Sequence, residues 1–272
     1  MIEPFLKWPG GKRWLVIRHG SLFPKAYSRY YEPFLGGGAV FFSLTPGSAY
    51  LSDTNDELTN AYKCIKEEWP TIEKRLSRLQ AQHSPELYYK IRDGQPSDPL
   101  GRAVRFVYLN RTCFNGIYRV NREGMFNVPI GTKDAVSFPE GYLEKVANAL
   151  RNTLITHDDF EKSIAKAGRK DFVFVDPPYT VMHNNNGFVK YNAKLFSWPD
   201  QARLAKAIKA ASRRGAMVMI SNADHPTVRT LYEGFGTHRS LKRHSILAGD
   251  PAYRRSATEL LITNYPAQND AS

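Results

Sequence analysis

The sequence predicts an α/β fold built on a mostly parallel sheet and interrupted by a largely helical insertion. Three observations carry this. Short apolar runs alternate with helical patterns at both ends of the chain, as βαβ units require. The wholly apolar run Phe172-Val173-Phe174-Val175 stops at Asp176-Pro177-Pro178-Tyr179, which reads as a buried strand ended by a stiff turn. From about residue 55 to residue 148 the alternation gives way to helical stretches with charged faces.

In chain order, Lys7-Trp8-Pro9-Gly10-Gly11-Lys12 is a glycine turn just before a helix. Tyr30-Tyr31-Glu32 and Ala49-Tyr50-Leu51-Ser52 read as strands, with a helix over residues 38–44 between them. Phe34-Leu35-Gly36-Gly37-Gly38-Ala39-Val40-Phe41 follows the first strand and opens that helix. Glycines there let the backbone approach a ligand and let the helix pack tightly on the strand. The spacing is not GxGxxG and no Gly-Lys-Ser/Thr is present, so neither a dinucleotide fingerprint nor a P-loop is matched. Asp53 ends the second strand, where an acidic side chain can accept both hydroxyls of a ribose. Glycine loop and Asp53 together predict an adenosine pocket; a plain turn is the alternative.

Within the insertion, residues 56–69 and 101–110 read as helices. Residues 112–133, rich in Asn, Gly, Arg and aromatics, read as a hairpin or ordered loop. Strands are expected again at residues 153–156, 172–175, 216–220 and 259–263, with helical stretches near 159–167 and 200–213. Asp158-Asp159-Phe160 follows the first of these strands. Its carboxylates can cap the next helix or border an adenine ring with Phe160 beside it, and the two roles are compatible.

The chain has 272 residues, 42% of them hydrophobic, enough for one large core or one core plus a smaller inserted domain. No apolar run reaches the length of a membrane span, and the opening residues carry no secretory h-region. Cys64 and Cys113 make neither a disulfide framework nor a zinc spacing. A reducing cytoplasm, with the nucleoid as place of work, is the expected location. Lys+Arg number 38 against 26 Asp+Glu, a net charge of +12. A domain this basic points to a polyanion, with solubility as the alternative reading. The basic residues are spread out, which favours a folded groove over a disordered arm.

The chemistry centres on Asp176. A carboxylate after a wholly apolar strand is costly unless it is used, and open α/β sheets bind ligands at the carboxyl edge. An exocyclic amine conjugated to a ring is a poor nucleophile. Accepting its two N–H bonds, one at the Asp176 carboxylate and one at the Pro177 carbonyl, draws the nitrogen towards a tetrahedral shape and exposes a lone pair. Tyr179 would hold the face of the flat ring. With a sulfonium methyl as electrophile, the protein need only align the partners and support the charge developing on nitrogen. No metal and no nucleophilic side chain is required.

In content and order these pieces resemble the Dam-type DNA adenine-N6 methyltransferases, from Lys7 to about Tyr265. Lys7 to Lys12 looks like the family's N-terminal motif, Phe34 to Phe41 like its S-adenosylmethionine loop, and Asp176 to Tyr179 is its catalytic motif without substitution. Pro9 departs from the Ala common in the family. The resemblance implies a Rossmann-like, S-adenosylmethionine-dependent methyltransferase sheet with an inserted, mostly helical target-recognition domain plus hairpin. Residues 1–54 and 149–272 would form the catalytic domain and residues 55–148 the DNA-binding one. It implies Asp176, Pro177 and Tyr179 as catalytic residues. Trp8, Lys12, Phe34, Gly36, Gly38, Asp53, Asp159, Phe160 and Asp176 would surround the cofactor.

Residues 110–121 and 124–129 resemble the family's recognition hairpin. Arg119 matches the arginine that reads a guanine, and an Arg fork suits guanine O6/N7. Phe114 stands where the family carries an aromatic near the everted base. Asn115, Ile117 and Pro129 match further contact positions, while Asn121 and Asn127 read as solvated hairpin residues. The implied target is GATC in double-stranded DNA, bound by a monomer. The adenine would be flipped out and stacked on Tyr179, with residues 180–194 ordering over it. Arg102, Arg105, Arg111, Arg119, Arg122 and Lys133 would supply phosphate contacts. Lys242-Arg243-His244 with Arg254-Arg255 departs from the family's Lys/Gly-rich loop. Because (Asp/Asn/Ser)-Pro-Pro-Tyr also serves enzymes acting on cytosine, RNA and protein glutamine, N4-cytosine or RNA methylation is an alternative. A non-catalytic DNA-binding regulator is another.

Overall fold

The computed structural model describes residues 1–121, 123–180, 196–244 and 256–267. Seven strands form one mixed sheet: β1 (Tyr30–Glu32), β2 (Ala49–Asp53), β3 (Thr153–His157), β4 (Phe172–Val175), β5 (Met217–Ala223), β6 (Thr237–His244) and β7 (Ser256–Thr263). Their order is β3-β2-β1-β4-β5-β7-β6. β1 runs parallel to β2 and to β4, and β4 parallel to β5. β7 is antiparallel to both β5 and β6. From β1 the chain winds outward through β2, then returns to the other side of β1 for β4 and β5. That reversal is where an open sheet leaves a crevice at the carboxyl ends of its strands.

The six strands expected from the sequence are present, with ends shifted by a few residues. β6 was not expected. Leu241 is its one aliphatic residue, so it has no apolar run and no alternation. Its eight-residue register with β7 makes it a strand, and Lys242 therefore lies in regular structure rather than in a loop.

By its contacts the chain divides into two compact units. The first comprises Met1–His19, Leu35–Gly47 and Ser52–His157. It holds α1 (Arg13–His19), α2 (Ala39–Leu44), α3 (Asp56–Ala81), α4 (Pro85–Asp93), α5 (Pro99–Thr112) and α6 (Tyr142–Leu150). Leu58, Ala61, Tyr62, Ile65, Ile72 and Leu76 of α3 are buried at helical spacing, and the helix packs on α5 and α6. Asn55 caps its start by accepting from the Leu58 N–H at 3.0 Å. The helix expected over residues 56–69 runs on through Pro70. Glu68 leaves helical geometry there (φ −129°, ψ 25°), so a kink accommodates the proline.

The second unit comprises Gly20–Phe34, Ser48–Leu51 and Asp158–Ser272. It holds α7 (Phe160–Ala165), α8 (Trp198–Arg213) and α9 (Pro226–Leu231). Val173 and Val175 of β4 share a core with Val218, Ile220, Ile164, Leu204 and Ile208. Phe172 and Phe174 meet Phe23 instead, and Phe172 also meets Tyr27, Tyr30 and Tyr265. Both faces of β4 are covered, which is why its sequence is apolar without alternation. Among the described residues no helix is long and apolar enough to cross a membrane.

Candidate active site

In the first unit the glycine loop is folded around Asp53. The Gly36 N–H donates to Asp53 Oδ2 and the Asn55 N–H to Oδ1, each at 3.0 Å. Burial pushes the Asp53 carboxyl up from its ordinary pKa, against the pull of the Gly36, Asn55 and Thr54 amides. Gly36 and Gly38 have φ of 47° and 64°. A Cβ at Gly36 would stand 2.6 Å from the Trp8 ring, and one at Gly38 2.8 Å from the Tyr62 hydroxyl. Glycine is thus required by left-handed backbone and by the chain's own Trp8 and Tyr62. Tyr62 also donates to the Gly36 carbonyl at 3.2 Å.

Trp8 reaches further than its motif suggested. Besides lying on Gly36, its ring stacks on Tyr118 (5.8 Å, 22°) and sits 6.4 Å from Phe106. Lys12 is buried and donates to the Gly10 carbonyl at 2.7 Å, closing its own turn. Asn110, read from the sequence as the end of a helix and the start of the hairpin but given no role of its own, ties this segment to the hairpin. It accepts from the Lys7 N–H at 2.8 Å and donates to the Lys7 and Gly116 carbonyls at 2.9 and 3.2 Å. The available signal was a polar residue closing the apolar run Phe106-Val107-Tyr108-Leu109.

Residues 112–131 do form a hairpin. Cys113 bridges Ile130 and Val120 bridges Phe126 in antiparallel sense. The Phe114 N–H donates to the Pro129 carbonyl at 2.9 Å and the Gly131 N–H to the Thr112 carbonyl at 2.8 Å. The Asn121 side chain accepts from the Glu123 and Met125 amides and so builds the tip. Phe114, Asn115, Ile117, Arg119 and Pro129 are all exposed, whereas Cys113, Gly116, Phe126 and Val128 are buried. Asn127 does more than face solvent, since its Oδ1 accepts from Arg119 Nε at 2.9 Å.

Three of the arginines expected at phosphates also have partners within the protein. Arg102 pairs with Asp56 and Glu57. Arg105 donates to the carbonyls of Ile91 and Arg92. Arg111 donates to those of Ala135 and Ser137 and lies 3.9 Å over the Phe138 ring. The reason is local: their helix carries them against carboxylates and loop carbonyls that would otherwise lack donors. Arg122, Arg254, Arg255 and residues 181–194 lie outside the described residues.

In the second unit Asp176 follows β4 directly and is partly buried. Tyr179 is anchored by its hydroxyl, 3.0 Å from Ser221 Oγ and 3.0 Å from Glu259 Oε2. Burial holds that hydroxyl well above its ordinary pKa, and the charges of Asp176 and Glu259 add to the effect. Neither Ser221 nor Glu259 was singled out from the sequence. Phe34, next after β1 but one, stacks on Phe160 (5.5 Å, 23°), and Phe196 closes on both edge-to-face. Asp159 caps α7, accepting from the Glu161 N–H at 2.9 Å, and pairs with Arg203 at 3.0 Å. Asp158 accepts from the Tyr50 hydroxyl at 3.0 Å.

An acid, a proline carbonyl and a tyrosine at the end of a central parallel strand suit transfer to a planar amine, the work of a nucleic-acid methyltransferase. Residues 8–246 match the model of the D12 class N6 adenine-specific DNA methyltransferases, and the chain belongs to that family. It is 36% identical over 273 residues to the Type II methyltransferase M1.LlaDCHI of Lactococcus lactis subsp. cremoris, covering 97% of this chain and 96% of that one. With the Type II methyltransferase M.MjaIII of Methanocaldococcus jannaschii it shares 35% identity, over 97% and 99% of the two chains. With the DNA adenine methylase of Escherichia coli K12 it shares 33%, over 96% and 95%. The protein is therefore an adenine-specific DNA methyltransferase with DNA as its substrate, and the family implies S-adenosylmethionine as methyl donor. The Dam-type resemblance read from the motifs is borne out, and adenine N6 is preferred over the cytosine, RNA and regulator readings.

Proposed function

We propose that this enzyme methylates N6 of an adenine flipped out of duplex GATC, with S-adenosylmethionine as donor. The observation that carries the reading is Asp176-Pro177-Pro178-Tyr179, unsubstituted at the carboxyl end of β4, beside the reversal of strand order. The residues assigned to the donor fit an adenosine chemically. Asp53 is a partly buried carboxylate able to accept ribose hydroxyls. Phe34, partly exposed, offers aromatic surface with the buried Phe160 stacked behind it, and Gly36 and Gly38 leave backbone without side chains beside Asp53. Trp8, Lys12 and Asp159 complete the set, Lys12 by holding the Gly10 turn. Bound there, the donor supplies a methyl group activated by its sulfonium charge.

The protein's own part is positional. Asp176 would accept one N–H of the adenine amine and the Pro177 carbonyl the other, leaving the nitrogen lone pair to form the N–CH3 bond as the donor's S–CH3 bond breaks; S-adenosylhomocysteine would leave and the surplus amine proton pass to solvent. Tyr179 stacks on the flipped base. Near-attack alignment of this kind, plus a carboxylate beside the developing positive nitrogen, supplies the rate. Residues 55–148 act as the target-recognition domain and the rest as the catalytic domain, in a monomer working at the nucleoid. Arg119 reads a guanine, and Phe114, Asn115, Ile117 and Pro129 line the rest of the reading surface. Their shared exposure on a hairpin with a buried frame supports this, because exposed apolar residues beside an arginine suit a binding surface.

The test is expression in cells that lack adenine methylation, followed by methylation-sensitive sequencing. N6-methyladenine confined to GATC is expected. Modification of cytosine alone, or of adenine irrespective of its neighbours, rejects the reading. Asp176→Ala should abolish transfer while DNA binding survives, and equal transfer by variant and wild type would overturn the assigned mechanism.

A further inference from the structure

Glu259 is a buried carboxylate, 5% exposed, in the middle of β7, and the roles above make no use of it. A buried acid costs free energy unless hydrogen bonds hold it. Its Oε2 accepts from the Tyr179 hydroxyl at 3.0 Å and from Ser221 Oγ at 3.4 Å. Ser221, 2% exposed, lies on β5, which pairs with β7 so that Ser221 faces Leu261 and Ala223 faces Glu259. Residues two apart on one strand share a face, so Ser221 and Glu259 are diagonal neighbours on the same side of the sheet. Tyr179 Oη completes a triangle with them at 3.0 Å from Ser221 Oγ.

We propose that Glu259, supported by Ser221, is a positioning residue that fixes the ring of Tyr179 for the flipped adenine. The inference rests on the reading of Tyr179 as the residue that stacks on the base. Tyr179 belongs to the irregular segment after β4, where the backbone alone leaves the ring free to turn about its side-chain torsions. A hydrogen bond from its hydroxyl to a carboxylate is charge-assisted, and that class is about twice as strong as a neutral pair. The tether joins the ring to β7, a strand paired on both sides. It holds the ring by its hydroxyl end.

The test is a double-mutant cycle read in single-turnover transfer from labelled S-adenosylmethionine to duplex GATC DNA. Tyr179→Phe keeps the ring and removes the hydroxyl. Glu259→Ala should slow transfer by about tenfold when the hydroxyl is present and by less than about twofold in the Tyr179→Phe background. KM for S-adenosylmethionine should stay within about twofold. Fluorescence of 2-aminopurine at the target adenine gives the same comparison without chemistry: Glu259→Ala should change it only where the hydroxyl is present. Equal losses in both backgrounds, or none, would overturn the proposal. Where Glu259→Ala yields no folded protein, the cycle built on Glu259→Gln, which keeps shape and removes charge, decides by the same rule. A wild-type enzyme that leaves adenine N6 unmethylated sinks the proposed function itself; a working wild type with additive losses sinks this inference alone.

Discussion

Replacing Asn110 should damage the protein more than any single surface change. The side chain is 2% exposed and makes the three hydrogen bonds to Lys7 and Gly116 described above. Asn110→Ala removes all of them at once. A buried backbone group left without a partner costs about 1–3 kcal/mol. The Gly116 carbonyl is buried and bears that cost in full, while water can partly satisfy the less buried Lys7 groups. The sum is about 2–5 kcal/mol, a large share of the roughly 5–15 kcal/mol that holds a domain folded. Urea unfolding followed by tryptophan fluorescence measures it, with Trp8 on its Tyr118 stack as a local reporter. Asn110→Asp sharpens the argument. It keeps an acceptor for the Lys7 N–H but turns an oxygen on the Lys7 and Gly116 carbonyls. It should be no more stable than Asn110→Ala at neutral pH and should recover in acid, where the carboxyl regains a donor. An Asn110→Ala loss below about 0.5 kcal/mol, or an Asn110→Asp variant as stable as wild type at pH 7, refutes the reasoning.

Arg119→Ala should weaken discrimination at one base pair by about 1–3 kcal/mol, seen as the ratio of kcat/KM on GATC and on singly substituted duplexes. A uniform fall across all sequences counts against base reading. Gly38→Ala should lower Tm, because the left-handed backbone alone costs about 1–2 kcal/mol and the new Cβ meets Tyr62 at 2.8 Å and Phe42 at 3.2 Å. Gly47→Ala, with nothing within 4 Å of its Cβ, is the control, and equal Tm for the two variants contradicts the packing argument. The hydrogen bond from Arg229 holds the Asp224 carboxyl below its ordinary value of 3.8. Its stabilising contribution is therefore complete above that value and is lost as pH falls through the lower folded one. Asp224→Asn should flatten the acid limb of the stability curve, and superimposable acid limbs for the two proteins argue against the pairing.

Several elements were legible in the sequence because local rules specify them. β4 is apolar throughout since both its faces are covered, and the prolines after Asp176 end it. Gly36 and Gly38 mark left-handed backbone that other residues tolerate poorly. The hairpin announced itself through Asn, Gly and aromatics, and Asp159 through its place one residue before α7. The partners of the α5 arginines were not legible, because charge shows in a sequence while the carboxylates and carbonyls that engage it do not.

What the chain determines by itself is short-range: the period of its apolar residues, the conformations open to glycine and proline, and the turn that ends β4 at Asp176–Tyr179. Only the tertiary structure decided that polar β6 is a strand, that β7 runs antiparallel, and which partners Asn110, Ser221 and Glu259 meet. Asn110 meets a partner 103 residues away and Glu259 one 80 residues away. Hydrogen bonds of that span depend on where the folded backbone brings two groups together, and no local pattern of residue types encodes that meeting.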